Sequence, residues 1–235
     1  MNQSQPGHEN DLFAAVGTQA AARDDAQFIP RVYNHVLGAI TALIALEVWY
    51  FKTDIAYNLA AKMLGMNWLL ILGACMVLGW LARGAAHRAR SLSTQYLALA
   101  GYVVAESIIL IPMLVIADYR APGTIQSAAL LTLVGFAGLT LIAFRSRRDF
   151  TTMTAMLQWA GVVALVAIVG SVVFGFQLGT WFSVLMVGIA GVAILRDTSA
   201  ILHHYPSDRY VAASLELFAS VAMMFWYLLR LLSRR

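Results

Sequence analysis

The sequence has few charged residues and a single cysteine. Asp, Glu, Lys and Arg make up only 12% of its 235 residues, whereas 60% are hydrophobic. Together with a mean hydropathy of +0.73, this shortage of charge excludes an ordinary soluble domain and indicates an integral membrane protein. Because Cys75 has no second cysteine to pair with, an internal disulfide is excluded.

Motifs for catalysis and cofactor binding are also missing. The sequence contains no Gly-x-Ser-x-Gly elbow, no His-Glu-x-x-His pair and no phosphate-binding Gly-rich loop with Lys and Ser. His203 and His204 are adjacent, so they cannot share one helical face as metal ligands would. The basic residues form no patch that would bind nucleic acid. We therefore expect a non-enzymatic protein without a bound cofactor.

Long apolar runs dominate what is present. Crossing a bilayer takes about 17 to 25 apolar residues, and seven stretches approach or reach that length. They cover residues 31–51, 67–82, 94–117, 125–144, 153–174, 181–203 and 210–231. The sequence thus predicts an all-α integral membrane protein with seven transmembrane helices.

The first 30 residues differ from the rest of the chain. They are polar and lack the apolar core of a secretory signal, so they predict a disordered tail. The organisation we expect is this tail, residues 1–30, followed by one transmembrane domain, residues 31–235.

Loop charges predict the orientation in the membrane. Ten of the 16 Lys and Arg residues fall in the tail or in the loops after spans two, four and six. Because cytoplasmic loops carry the excess of positive charge, the N-terminus is predicted inside and the C-terminus outside. The basic end of the chain, Arg230 to Arg235, runs against this assignment.

Ionisable residues inside spans are functional candidates, because each is costly in a bilayer unless it is paired or hydrated. Glu47 lies close to the outer end of span one, where we expect its side chain to reach interfacial water. Glu106 lies in the middle of span three, so we expect its carboxyl group to face the interior of the bundle. Both a functional role and a hydrogen-bonded structural role are open for Glu106.

The last two spans hold a more informative set of charges. If they form an antiparallel hairpin that turns near Pro206, Asp197 and Glu216 lie at the same depth. Two carboxylates at one poorly hydrated site cannot both ionise cheaply, so a proton, a cation or Arg196 should compensate them. In the structural alternative, Asp197 pairs with Arg209, which follows Asp208 in the loop, or it accepts hydrogen bonds from loop amides near the membrane interface.

The C-terminal sequence carries a resemblance to a known family. The small-residue-rich run that ends in Asp197-Thr198-Ser199, the short polar loop, and the helix from Ser214 to Phe225 resemble the C-terminal signature of the Bax inhibitor family. The bacterial YccA-like branch is the nearest match, and Arg31-Val32-Tyr33 and Arg147 to Phe150 add to it.

The resemblance implies a seven-helix bundle with the last helix at its centre. It also implies that a pair of acids on helices six and seven forms a pH-sensitive latch for a calcium leak. Asp197 matches the first acid, but the position of the second is occupied by Ser220. Glu216 lies one helical turn from Ser220 and is our candidate to replace the missing acid.

Two functions follow from these expectations. Similarity to YccA implies a bacterial inner-membrane protein that binds and modulates the membrane AAA+ protease FtsH, with the tail as the segment that the protease grips. The alternative is a pH-sensitive cation leak or transporter, with Ca²⁺ as the transported ion and Asp197, Glu216 and Glu106 along the path. In both, the lipid bilayer surrounds the protein.

Overall fold

The described chain folds into helices throughout. The computed structural model describes residues 6–66, 68–88, 91–146 and 148–234, with side chains from residue 26 onward except those of residues 68, 69, 72, 75 and 87. The α-helices are α1 (Pro6–Lys52), α2 (Ile55–Leu64), α3 (Trp68–Arg88), α4 (Leu92–Arg120), α5 (Thr124–Arg145), α6 (Thr154–Phe174), α7 (Thr180–His203) and α8 (Tyr210–Leu232). Short 3₁₀ helices, Phe150–Met153 and Ser207–Arg209, precede α6 and α8. These ranges contain no strand, in agreement with the predicted all-α fold.

The helix ends are set by a few residues with suitable chemistry. Ser91 precedes α4, and its hydroxyl oxygen accepts a hydrogen bond of 3.2 Å from the backbone N–H of Thr94. Gly123 before α5 and Gly175 after α6 have φ angles of 85° and 72°. Glycine adopts this left-handed conformation without a steric penalty, so the chain can turn there between two apolar runs.

Within the described residues, six helical segments are long and apolar enough to cross a membrane. The first is Ala26–Lys52 in α1, and the others contain α4, α5, α6, α7 and α8, all within a few residues of the predicted spans. The predicted span 67–82 coincides with α3, which has 21 residues and continues to Arg88. That α3 also crosses the membrane stays a prediction.

Two segments depart from the expectations. The first is α2, whose 10 residues are too few to span a bilayer. The search for membrane-spanning runs therefore predicted a loop where α2 lies. Its buried residues Ala56, Ala60 and Met63 recur at helical spacing and pack on the bundle. The sequence predicted a disordered tail over residues 1–30, of which residues 6–30 belong to α1 and residues 1–5 lie outside the described residues. Alanine is the strongest helix former, and several alanines lie in this stretch.

The last helix, α8, lies at the centre of the bundle. It packs against α1, α3, α4, α5 and α7. In the span Ser207–Leu232 the most apolar stretch is 72% buried inside the protein, whereas in Phe150–Phe174 the corresponding share is 6%. The expectation of a central last helix is therefore confirmed, and polar groups on α8 are shielded by the other helices.

Candidate functional site

Asp197 on α7 faces Ser220 on α8. Both side chains are buried, with exposed fractions of 4% for Asp197 and 7% for Ser220. The Ser220 hydroxyl donates a hydrogen bond of 2.5 Å to Oδ2 of Asp197. This contact joins the last two spans inside the bundle, so the polar partner that α8 offers to Asp197 is Ser220.

Arg196 compensates the charge of the same carboxylate. Its Nη1 donates to Oδ1 of Asp197 at 2.7 Å, and its Nε donates to Oγ1 of Thr154 at 3.2 Å. Thr154 is the first residue of α6. Each carboxylate oxygen of Asp197 thus has its own donor, and the guanidinium group extends the contact from α8 through α7 to α6. We call Asp197, Ser220 and Arg196 the acid latch.

Glu216 lies on α8 one turn before Ser220, and Arg83 compensates it. The distance between Nε of Arg83 and Oε2 of Glu216 is 3.9 Å, and the side chain of Glu216 is only 15% exposed. The sequence placed Arg83 in the loop after span two, which is wrong, because α3 continues past it to Arg88. One sequence signal could have identified Arg83. It directly follows the apolar run 67–82, so a further turn of α3 keeps it in the helix and brings it beside an acid.

Glu106 joins this group through Arg83. It lies on α4, is partly buried, and is within electrostatic range of Arg83 and of the Tyr102 hydroxyl. The Arg83 guanidinium group also lies 6.0 Å from the centre of the Tyr102 ring. The expectation that Glu106 faces the bundle interior agrees with this position.

Five charged residues therefore form one group, which we call the carboxylate cluster: Asp197, Arg196, Glu216, Arg83 and Glu106. Asp197 and Glu216 also lie within electrostatic range of each other. The predicted proximity of these two acids is thus present, but each has its own arginine. The cluster contains three acids and two guanidinium groups.

The loop residues Asp208 and Arg209 are not the partners of Asp197 in the acid latch. Asp197 contacts Ser220 and Arg196, so the alternative in which it pairs with Arg209 is wrong. Nε of Arg209 instead lies 3.8 Å from Oδ2 of its neighbour Asp208, whose side chain is 75% exposed. Tyr205 in the same loop is partly buried; this burial, and then the nearby carboxylates of Glu216 and Asp197, raise the pKa of its hydroxyl.

A second polar group, which sequence reasoning missed, lies beside the end of α7. Asp149 Oδ1 accepts hydrogen bonds from the Thr151 amide at 2.9 Å, the Thr151 hydroxyl at 2.6 Å and the Ser199 hydroxyl at 3.1 Å. Its Oδ2 lies 2.7 Å from Nε2 of His204. The hydrogen bonds from Thr151, and then the one from His204, lower the pKa of Asp149. This contact fixes the loop before α6 against α7, two residues after Asp197.

The described side chains offer no group of three or more His, Cys, Asp or Glu residues that could hold a metal ion. Nδ1 of His203 lies 3.0 Å from the carbonyl oxygen of Ser199, in the preceding turn of its own helix. What the carboxylate cluster can do instead is exchange a proton, or pass a cation along several carboxylates without holding it firmly.

Comparison with known proteins agrees with the C-terminal resemblance and extends it over the chain. The family model described as "Inhibitor of apoptosis-promoting Bax1" matches residues 25–235. Human "Protein lifeguard 3" is 26% identical over 147 residues, which cover 55% of this chain and 47% of that protein. The "Golgi anti-apoptotic protein" of Vaccinia virus (strain Lister) is 28% identical over 147 residues, which cover 62% of this chain and 60% of that protein. The matches thus span about half to three fifths of the relatives' own length.

Proposed function

Because the chain belongs to the Bax inhibitor family, we propose that it is a pH-sensitive calcium leak of a bacterial inner membrane. In this proposal the acid latch holds α7 against α8 in the closed state. The protein is non-enzymatic and has no resident cofactor, and Ca²⁺ is the transported ion.

The charge balance of the carboxylate cluster carries this proposal. Asp197, Glu216 and Glu106 contribute three carboxylates, whereas Arg196 and Arg83 contribute two positive charges. If all five groups are ionised, these five residues carry a net charge of minus one. Carboxylates in a poorly hydrated site ionise at a cost, so a proton or a passing cation is favoured there.

Protonation of Asp197 releases the latch in this mechanism. The hydrogen bond from Ser220 is strong because its acceptor is charged, and it weakens when Asp197 becomes neutral. The same proton leaves the Arg196 guanidinium group without its counter-charge. Since α8 packs against most of the other helices, loss of its tie to α7 allows the centre of the bundle to repack.

Calcium uptake into liposomes tests this function. The purified protein is reconstituted around a calcium-sensitive dye, and the wild type is compared with Asp197→Asn at neutral pH. We expect the variant to admit calcium faster than the wild type, and both to exceed protein-free liposomes. Asp208→Asn is the matched control, because it removes an exposed carboxylate from the same hairpin. Uptake equal to protein-free liposomes for both proteins would reject the leak.

Glu216 is proposed to act as the second acid of the latch. It lies one turn from Ser220 and within electrostatic range of Asp197, so its charge affects how readily Asp197 binds a proton. Glu216→Gln is therefore expected to shift the pH response of calcium uptake. This role is excluded if Glu216→Gln keeps the wild-type response while Asp197→Asn abolishes it.

A second candidate function is modulation of the membrane protease FtsH. The observation that favours it is the length of α1, which begins at Pro6, whereas the first span begins at Ala26. Residues 6–25 of α1 therefore lie before this span, and a terminal segment outside the packed domain is where a protease can start. With the N-terminus in the cytoplasm, this segment is the part of the chain that the protease grips.

Affinity purification from native membranes tests the second candidate. The tagged full-length protein and a form without residues 1–25 are isolated in mild detergent, and bound proteins are identified by mass spectrometry. We expect FtsH to be recovered with the full-length protein and not with the truncated form. Recovery of FtsH with neither form would reject this function, whereas calcium uptake by the truncated form should be unchanged.

A further inference from the structure

A large apolar pocket lies between α1, α4, α5 and α8, apart from the carboxylate cluster. Its volume is about 560 Å³, within the range of sites that bind small molecules. Aliphatic and aromatic side chains form most of its wall, among them Leu43, Leu110, Phe218 and Phe225. Because it also contains one unusual polar residue, we call it the Glu47 pocket.

Glu47 lines this pocket, and its carboxylate has no hydrogen-bond partner on the described side chains or backbone. Both of its carboxylate oxygens are shielded from solvent, and no donor contacts either of them among the described residues. The sequence predicted that this side chain reaches interfacial water, which is wrong in the structure. A buried carboxylate without donors is costly, so the site gains from an occupant that supplies a positive charge and N–H groups.

The shape of the pocket matches a single alkyl chain. Along α1 its lining extends from Ile40 to Lys52, which is about 18 Å of helix at 1.5 Å per residue. Half of a bilayer core is about 15 Å thick, the length of one layer of lipid chains. Ile44 and Val48 line the pocket and are 56% and 48% exposed on the outer surface of the bundle, so the pocket is open to the lipid phase.

Three of the polar residues that line the pocket lie at one end, whereas the hydroxyl of Thr132, deeper along α5, donates its hydrogen bond to the carbonyl oxygen of Ala128. Lys52 ends α1, Asp118 lies in the last turn of α4, and Gln126 lies in the first turn of α5. Glu47 is five residues before Lys52, about 7.5 Å deeper along the helix. The pocket thus has a polar mouth, a carboxylate partway down and an apolar end, which is the pattern of an amphiphile.

We propose that the Glu47 pocket binds an amphiphile with a protonated amine and one alkyl chain. The ammonium group lies against the Glu47 carboxylate, and the chain fills the apolar part toward Ile40 and Phe218. The charged residues that line the pocket are Glu47, Asp118 and Lys52, so the acids outnumber the base and a fatty acid is disfavoured. A calcium ion is disfavoured as a resident ligand, since it takes six to eight oxygen ligands and the walls around Glu47 are apolar. This site goes beyond the proposed leak and does not depend on it.

Direct binding of dodecylamine tests the proposal. The full-length protein is reconstituted in phosphatidylcholine nanodiscs, and binding of radiolabelled dodecylamine is measured after subtraction of binding to empty nanodiscs. We expect saturable binding of one molecule per chain, and about tenfold weaker binding to Glu47→Gln, the loss expected for one charge-assisted contact. Dodecanol and dodecanoate should compete poorly.

Two further variants keep the result interpretable. Glu106→Gln neutralises an acid outside the pocket and should bind dodecylamine as the wild type does. Ala129→Phe adds bulk inside the pocket and should weaken binding, while melting of the unliganded protein shows that each variant is folded. Unchanged affinity in Glu47→Gln, or equal competition by dodecanol or dodecanoate, would overturn the proposal.

Discussion

Asp197 and Glu47 are both carboxylates enclosed by the helices of one bundle, but their surroundings differ. Asp197 has a donor for each oxygen, Ser220 from α8 and Arg196 from its own helix. Within the part of the chain that the structure describes, Glu47 has no donor for either oxygen. Burial alone therefore does not define the role of an acid in a membrane protein. Partners on other helices make Asp197 a connection between helices, whereas their absence makes Glu47 a site that is open to a ligand.

The largest effect is expected from removal of Asp197. Asp197→Ala leaves the Arg196 guanidinium group and the Ser220 hydroxyl without their partner, and we expect a loss of about 3 kcal/mol in the free energy of unfolding. Unfolding in mixed detergent micelles, followed by circular dichroism, measures it. Asp208→Ala is the control and should cost almost nothing, since Asp208 is exposed. Equal effects of the two substitutions would remove the energetic basis of the latch.

Ser220→Ala should have the next largest effect. It removes the donor from α8 but leaves Arg196 on Asp197, so we expect a loss of about 1.5 kcal/mol, as for a hydrogen bond to a charged group. Ser183 is a matched control, because it is 0% exposed and its hydroxyl has no partner among the described residues. Ser183→Ala should leave the free energy of unfolding unchanged or raise it. The same unfolding assay serves, and a loss as large for Ser183→Ala as for Ser220→Ala would contradict this account.

Glu47→Gln sharpens the comparison with Asp197, because it is expected to raise the free energy of unfolding, whereas the substitutions of Asp197 and Ser220 lower it. Removing an acid without donors should raise the free energy of unfolding by about 1 kcal/mol in the absence of an amphiphile. Glu106→Gln, at a carboxylate within range of Arg83, should not stabilise the protein. The unfolding midpoints in detergent give the answer. Destabilisation by Glu47→Gln would show that the carboxylate has a stabilising partner after all.

Asp149 extends the comparison to a carboxylate outside the spans and should have the smallest effect. Its pKa in the folded protein is lowered by the hydrogen bonds from Thr151 and His204, relative to 3.8 for the free group. A lowered pKa stabilises the folded state at higher pH, and this contribution is lost as the pH falls below about 4. Asp149→Asn should therefore melt with a weaker pH dependence in the acid range. If the pH dependence of melting were the same for Asp149→Asn and the wild type, the stabilising role of the ionised Asp149 would be contradicted.

The sequence predicted the helices well and their polar contacts only in part. The spans from α4 to α8 match within a few residues, because each ends at a glycine, a proline-containing turn or a group of charges. The central position of α8 was implied by the family resemblance. By contrast, α2 is too short to show a transmembrane pattern. For residues 6–30 the prediction followed the polar composition, whereas the structure follows the helix-forming alanines.

Which side chains meet depends on how each helix is rotated about its axis and how deep it lies in the bundle. The composition of a span does not specify either. Asp197 and Glu216 were correctly placed near each other, since a hairpin fixes their relative depth. The pairing of Arg83 with Glu216 joins α3 to α8, and no local pattern indicates it. The same holds for Asp149 and His204, which are 55 residues apart. The Glu47 pocket depends on four helices at once, so it could be found only in the folded chain.

The most direct test of the latch is the pH profile of calcium uptake into liposomes for the wild type and Asp197→Asn. The account predicts that uptake by the wild type rises as the pH falls from mildly alkaline to mildly acidic. It predicts that uptake by Asp197→Asn is high and independent of pH over the same range, because its side chain has no proton to gain. An Asp197→Asn profile that follows the wild type would contradict the central role of this carboxylate.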